Sequence, residues 1–197
     1  MHPTSPLPPT HLPPRVWVVG PTGSGKSTLA DRLAALLGVE ATHLDDLHWA
    51  PGWVERPRDD LARRLAPVVE GAAWVVDGNY GDVQRRFVHR ADLVVWLDLP
   101  HATTFRRLVA RSFARAWQGV PCCNGNRETL ARTFLTRESI LLWSLTSHRR
   151  VRRRYARTLA GRAHVRFRDP RRIERWVAAL QRAAGVSDRG RGTASRR

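Results

Sequence analysis

Lysine is all but missing from this chain: Lys26 stands alone beside 33 arginines. Cysteine is as scarce, present only as Cys122 and its neighbour Cys123. Two adjacent cysteines cannot staple distant segments together, which excludes a disulfide framework and makes a cytoplasmic protein the expectation. Long apolar runs are absent too. The longest, such as Leu93–Leu97, fall far short of a bilayer's width, so no membrane partner is expected. The first stretch carries Pro3, Pro6, Pro8, Pro9, Pro13 and Pro14 and has no apolar core behind a positive charge, which is not a signal peptide. What is present, 197 residues of which 42% are apolar, suits one globular domain.

Acidic residues are few, 17 against 34 basic ones, for a net charge of +17. Such a balance points toward nucleic acid. An excess built from arginine alone is also what a GC-rich coding bias produces, so the total does not by itself establish that partner. Position says more. Residues 1–148 hold 17 basic and 14 acidic side chains, a net +3, whereas residues 149–197 hold 17 arginines against Asp169, Glu174 and Asp188, a net +14. The body is nearly neutral and the last quarter carries the charge.

Residues 1–14 read as an extended, proline-rich leader with no core to join. Arg15–Val19 is a short apolar run ending in a glycine loop, hence a buried strand. A helix follows from Lys26 to Leu37, with Leu29, Leu33, Leu36 and Leu37 on one face and Gly38 to stop it. Further strands are expected over 40–43, 73–76, 92–97 and 164–167. Helices are expected over 59–69, 82–89, 102–117, 129–159 (with a break near Ser147) and 171–184. The segments 44–57 and 118–126 read as loops. The tail 185–197 is rich in Gly, Ser and Arg and reads as disordered. Strands alternating with helices predict an α/β fold, a mostly parallel five-stranded sheet with helices on both faces.

The most specific signal is Gly20-Pro21-Thr22-Gly23-Ser24-Gly25-Lys26-Ser27, followed by Thr28. Its spacing is that of the P-loop. Glycines let the backbone curl until successive N–H groups face a concavity, and the start of the next helix adds partial positive charge. A compact ammonium at Lys26 reaches the β- and γ-phosphates of ATP, and the Ser27 hydroxyl is placed to ligate Mg²⁺. Arginine's wide planar fork does this poorly, which gives the lone lysine a reason to be here.

Three more clusters follow in order: "LDDLHWAPGW" over 44–53, "DGNY" over 77–80, and "LDLP" over 97–100. With the P-loop, they resemble the small bacterial proteins called DNA topology modulation proteins, a group similar to the adenylate kinase-like nucleotide kinases. The resemblance runs from about Val16 to Leu159. It implies a nucleoside-monophosphate-kinase-like P-loop NTPase with a short lid over 118–128. Asp77 would be the carboxylate that contacts Mg²⁺, and Asp45 would face the acceptor to hold or deprotonate a hydroxyl. Arg111 and Arg127 would be lid arginines over the transferring phosphoryl group. Asn79 and Tyr80 fall on the acceptor side. Related kinases carry "DGFPR" there, so Arg86 would stand in for the missing arginine.

Each assignment has a plainer rival. Asp77 also fits a turn cap, and Asp45 with Asp46 fits a helix cap or loop solvation. Trp49 and Trp53 suit stacking on an acceptor ring or filling the loop's own core. Asp98 reads as structural. His43 and His48 fit no zinc spacing, and Cys122–Cys123 cannot build a four-ligand zinc lid. Near the end, Arg149, Arg153 and Arg157, with Arg150 and Arg154 alongside, lie opposite Val151, Tyr155 and Leu159 on one amphipathic helix. That basic face reads as solvated surface or as a non-specific nucleic-acid contact spanning 149–197. The expected function is transfer of the γ-phosphate of Mg-ATP to a small-molecule acceptor. The alternatives are an ATP-dependent nucleic-acid-binding protein and a regulatory ATPase; the oligomeric state stays open.

Overall fold

The computed structural model describes residues 10–118, 121–127 and 140–185. The first part of the expected leader, the expected helix from Thr129 as far as residue 139, and residues 186–197 of the tail lie outside the described residues.

In chain order the elements are β1 (Arg15–Val19), α1 (Lys26–Leu37), β2 (Ala41–His43), α2 (Leu44–His48), β3 (Trp49–Ala50), β4 (Val54–Glu55), α3 (Arg58–Glu70), β5 (Trp74–Asp77), α4 (Gly81–Phe87), β6 (Leu93–Leu97), α5 (His101–Gln118), β7 (Pro121–Cys122), β8 (Asn126–Arg127), α6 (Ile140–Thr158), β9 (His164–Phe167) and α7 (Pro170–Ala183). Five of the strands form one sheet in the order β2-β5-β1-β6-β9, and every pairing in it is parallel. Parallel neighbours need crossovers, which the helices supply, so both sheet faces are covered.

Side chains alternate along β1 and thereby divide the core. Val16 and Val18 face Leu29 and Leu33 of α1 and Ile173, Trp176 and Val177 of α7. Trp17 and Val19 face Leu61 and Leu65 of α3, Phe87 of α4, and Tyr155 and Leu159 of α6. Leu12 packs on the first of these clusters, and the Pro14 carbonyl accepts the Trp74 N–H at 2.9 Å. The leader therefore joins the core before β1 begins. Because β1 lies between β5 and β6, the chain leaves it toward one side of the sheet and later returns to the other. The carboxyl end of β1 is thus a switch point, where open α/β sheets form their binding crevice.

Chain ends of the helices follow from local chemistry. Gly38 adopts φ 67° after α1 and donates to the Ala34 and Ala35 carbonyls, a conformation glycine takes without strain. Asp169 caps α7 by accepting the Arg171 N–H at 2.9 Å, with Pro170 as the first helical residue.

Three further expectations change. The segment 44–57, expected as a loop, holds the one-turn helix α2 and the antiparallel hairpin β3–β4. Leu44 and His48, one turn apart, are both buried, and the turn after β3 is made by Gly52 and Trp53, both at positive φ. The segment 118–126 likewise holds a hairpin, β7–β8, turning through Cys123, Asn124 and Gly125 at φ 41°, 62° and 78°. No break occurs near Ser147, since α6 runs unbroken from Ile140 to Thr158.

Trp17 is fully buried, edge-on to Trp74 at 6.1 Å, and sits at the centre of the second core cluster. Trp17→Ala is expected to cost about 3–5 kcal/mol of unfolding free energy, measured by urea denaturation.

Candidate active site at the carboxyl ends of the central strands

The loop Gly20–Ser27 leaves β1 and wraps into the start of α1. Gly20, Gly23 and Gly25 have φ of 153°, 80° and 89°, so the curl depends on residues without a Cβ. Two are also pressed by neighbours. A Cβ on Gly20 would lie 2.6 Å from the Leu97 carbonyl, and one on Gly23 would lie 2.2 Å from that of Thr104 in α5. The sheet and α5 therefore clasp the loop from both sides. Lys26 reaches back across it, its ammonium donating to the Pro21 carbonyl at 3.3 Å. Burial lowers the Lys26 pKa, Asp77 and Asp45 pull it back up, and Arg111 opposes them. Asp77, Asp45 and Arg111 are thus the charged groups that act on Lys26. The Ser24 hydroxyl is buried with no hydrogen-bond partner, a donor left for an anion in the loop.

Asp77 ends β5 and is buried. Its Oδ2 accepts the Ser27 hydroxyl at 2.9 Å, and its Oδ1 lies 2.5 Å from His43 Nδ1. The other ring nitrogen of His43 faces Asp31 at 3.1 Å. With a carboxylate on each nitrogen, His43 holds two protons. The hydrogen bond to Asp77 comes first among the causes; burial opposes it, the charges of Asp77, Asp31 and Asp46 reinforce it, and the pKa is pushed up to about 9. No group of three or more His, Cys, Asp or Glu among the described residues is arranged to hold a metal unaided. Ser27 with Asp77 is instead the sparse oxygen set that suits Mg²⁺, which fills its shell with water and phosphate oxygens. The role of His43 was hidden in the sequence. The available signal was register, because His43 and Asp77 are paired last residues of adjacent parallel strands.

Asn79, expected on the acceptor side, bonds the phosphate loop. Its Oδ1 accepts the Gly20 N–H at 3.3 Å, and its Nδ2 donates to the Gly20 carbonyl at 2.5 Å. The carboxamide thereby carries the β1–β5 ladder one rung into the phosphate loop. Tyr155, fully buried on α6, donates its hydroxyl to the same Oδ1 at 2.7 Å. Arg154 donates to the Asn79 carbonyl at 3.0 Å, so it leaves the solvated face of α6 assigned to it. Arg154 is the arginine that reaches the "DGNY" turn, while Arg86 is exposed on α4 with its guanidinium over the Phe87 ring.

On the acceptor side, the Tyr80 hydroxyl donates to Asp45 Oδ1 at 2.7 Å. Burial, followed by the Asp45 charge, pushes the Tyr80 pKa well above its ordinary value, so the phenol keeps its proton. His48 packs between Trp49 and Tyr80, and burial lowers its pKa, which leaves the ring neutral. Trp49 meets Trp53 edge-on at 5.5 Å, so each contributes to the hairpin's own packing. The β7–β8 hairpin docks on this arm. Asn124 donates to the Asp46 and Trp49 carbonyls, and Asn126 donates to Ala50 and accepts from the Trp53 N–H at 2.8 Å. Arg111 is half-buried on α5, and Arg127 lies on β8. Thr28 is exposed on α1. Asp98 is buried and engaged by Arg152, Arg166 and Arg168, a structural anchor between β6, β9 and α6.

No protein-family model and no curated protein matches this chain. Solved structures do. Shikimate kinase from Acinetobacter baumannii, in complex with shikimate, aligns at a TM-score of 0.52 and 17% identity, over 90% of this chain and 98% of its own. A gluconokinase from Sinorhizobium meliloti 1021 aligns at 0.46 and 20% identity, over 89% and 95%. A deoxyadenosine kinase from M.mycoides aligns at 0.43 and 11%, over 86% and 97%. The shikimate kinase alignment shows the fold. This chain shares the α/β fold of that kinase.

Gly23→Ala forces α5 away from the phosphate loop, and is expected to abolish nucleotide binding by calorimetry while circular dichroism stays that of a folded protein. His43 has a folded pKa raised above its unfolded value, so the stability it adds is full below about pH 6.5 and fades as pH rises through 9. In nucleotide- and Mg²⁺-free protein, the urea midpoint should fall across that window more steeply than in His43→Gln.

Proposed function

We propose that this protein is a magnesium-dependent phosphotransferase that moves the γ-phosphate of ATP to a hydroxyl or phosphate oxygen of a small acceptor. One observation carries the reading: the Ser27 hydroxyl of the phosphate loop donates to the buried Asp77 carboxylate at 2.9 Å, and the charges of Asp77 and Asp45 both act on the Lys26 ammonium. A phosphate-holding half and a carboxylate-bearing half therefore meet where a phosphoryl group would pass. The family resemblance in "LDDLHWAPGW" and "DGNY" supports the same assignment from the sequence.

The residues fit Mg-ATP in a definite way. The loop N–H groups, the Ser24 hydroxyl and Lys26 hold the β- and γ-phosphates. Ser27 and Asp77 would hold Mg²⁺, which when bound would neutralise charge on the phosphate oxygens. His43 fixes the Asp77 carboxylate from behind and keeps its Oδ2 turned toward Ser27. Across the crevice, Tyr80 occupies Asp45 Oδ1. Asp45 Oδ2 then orients an acceptor hydroxyl and takes its proton as the new P–O bond forms. Arg111 adds positive charge where negative charge spreads in the transition state. The Asn124 and Asn126 clamps close the lid hairpin over this side and keep bulk water from competing as acceptor.

Lys26→Ala is expected to abolish ATP binding by calorimetry, and Asp45→Asn to keep ATP binding while lowering turnover by about 10²–10⁴-fold. The measurement is ADP release from Mg-ATP across nucleosides, nucleotides, sugars and hydroxy acids. One compound should lift the rate sharply. A flat response across the panel, or full turnover in Asp45→Asn on an identified acceptor, would overturn the reading.

A further inference from the structure

The reaction proposed above makes no use of the chain's only two thiols. Cys122 closes β7 and Cys123 opens the turn, both half-buried. The turn is unusual in that Cys123, Asn124 and Gly125 all have positive φ, and only one of them is glycine. Asn124 and Asn126 tie it to the Asp46, Trp49 and Ala50 carbonyls and so hold it in that shape. Cys122 is the group that acts most strongly on the Cys123 thiol, and the charges of Asp45 and Asp46 act on it too. The Cys123 thiol is also among the groups acting on Tyr80. A paired dithiol thus sits at the mouth of the acceptor side.

The chemistry of such a pair is narrow. The described backbone has no cis peptide bonds, so the two Cα atoms are about 3.8 Å apart, closer than the roughly 4.4–6.8 Å that an unstrained disulfide spans. Direct S–S bonding is therefore disfavoured. Attack by a single thiolate is disfavoured too, because Cys122, burial and the nearby carboxylates push the Cys123 thiol well up and keep it protonated. One larger atom bonding both sulfurs meets neither obstacle, and its second bond forms at high effective concentration.

We propose that Cys122 and Cys123 form a dithiol site for a trivalent thiophilic centre of the organoarsenic class. With an arsenoso compound R–As=O, two As–S bonds form as the arsenic–oxygen bond breaks. Both thiol protons leave with that oxygen as water, and arsenic stays trivalent, so nothing is oxidised or reduced. The arsenic and its organic substituent then stand on the turn that Asn124 and Asn126 seat against the acceptor arm. Occupation of the site therefore blocks acceptor entry and leaves the phosphate loop untouched.

The test treats the folded full chain with phenylarsine oxide and reads the intact mass. The wild type should gain one phenylarsenic unit that survives excess glutathione and is removed by dithiothreitol. Cys122→Ser and Cys123→Ser should each retain it at least about 100-fold less under the same glutathione wash. No adduct on the wild type, or an equally persistent one on either serine variant, overturns the site. The second arm rests on the acceptor assignment above. Modified protein should lose acceptor-dependent turnover and keep nucleotide affinity, and undiminished turnover of fully modified protein overturns the placement at the mouth. If unmodified protein shows no acceptor-dependent turnover, the phosphotransferase reading is what fails, and the mass result alone decides the dithiol.

Discussion

The buried carboxylate of Asp77 is the point on which the site is built. A carboxylate taken into a protein interior is costly unless its oxygens are met by donors, and this one is met on both sides. Ser27 approaches from the phosphate loop and His43 from the edge strand. The first contact fixes where α1 begins relative to β5, and the second fixes the end of β2 against the same strand. Three separate segments are thereby brought to one corner of the sheet. His43 in turn leans on Asp31 of α1, so the helix that starts at the phosphate loop is braced at its base and one turn further along.

A second layer of order comes from polar side chains doing the work of backbone. Beyond Val18 and Asp77 the β1–β5 ladder runs out. The Asn79 carboxamide, with its one donor and one acceptor, continues it by pairing both backbone groups of Gly20. Tyr155 settles which end of the amide points which way, because only Oδ1 can accept its hydroxyl. An otherwise flexible glycine is set by a residue from the other side of the core. That residue belongs to α6, so the orientation of the phosphate loop depends on correct docking of a helix far along the chain.

Much of this was legible beforehand, for definable reasons. The phosphate loop, α1 and the strands of the main sheet announce themselves through local rules: glycine spacing, apolar runs, a glycine stop at Gly38. The two hairpins read as loops in the sequence because they are two-residue strands whose turns rest on non-glycine residues at positive φ, Trp53, Cys123 and Asn124. No propensity reports that. The bridging role of His43 needed strand register, and the inward turn of Arg154 needed to know that α6 packs against the "DGNY" turn. In a sequence so rich in arginine, Arg152 and Arg154 look like Arg150 and Arg153. Only the fold separates the pair that bind Asp98 and Asn79 from the pair left in solvent.

The contact between the two hairpins has a consequence for how this site could diversify. Asn124 and Asn126 meet the acceptor arm only through its main chain, at the carbonyls of Asp46, Trp49 and Ala50 and the amide of Trp53. These bonds are blind to side-chain identity. Side chains of the arm can therefore be exchanged without rebuilding the contact that holds the second hairpin on it. What the arm presents and how the hairpin docks are written in separate alphabets here, one in side chains and the other in backbone.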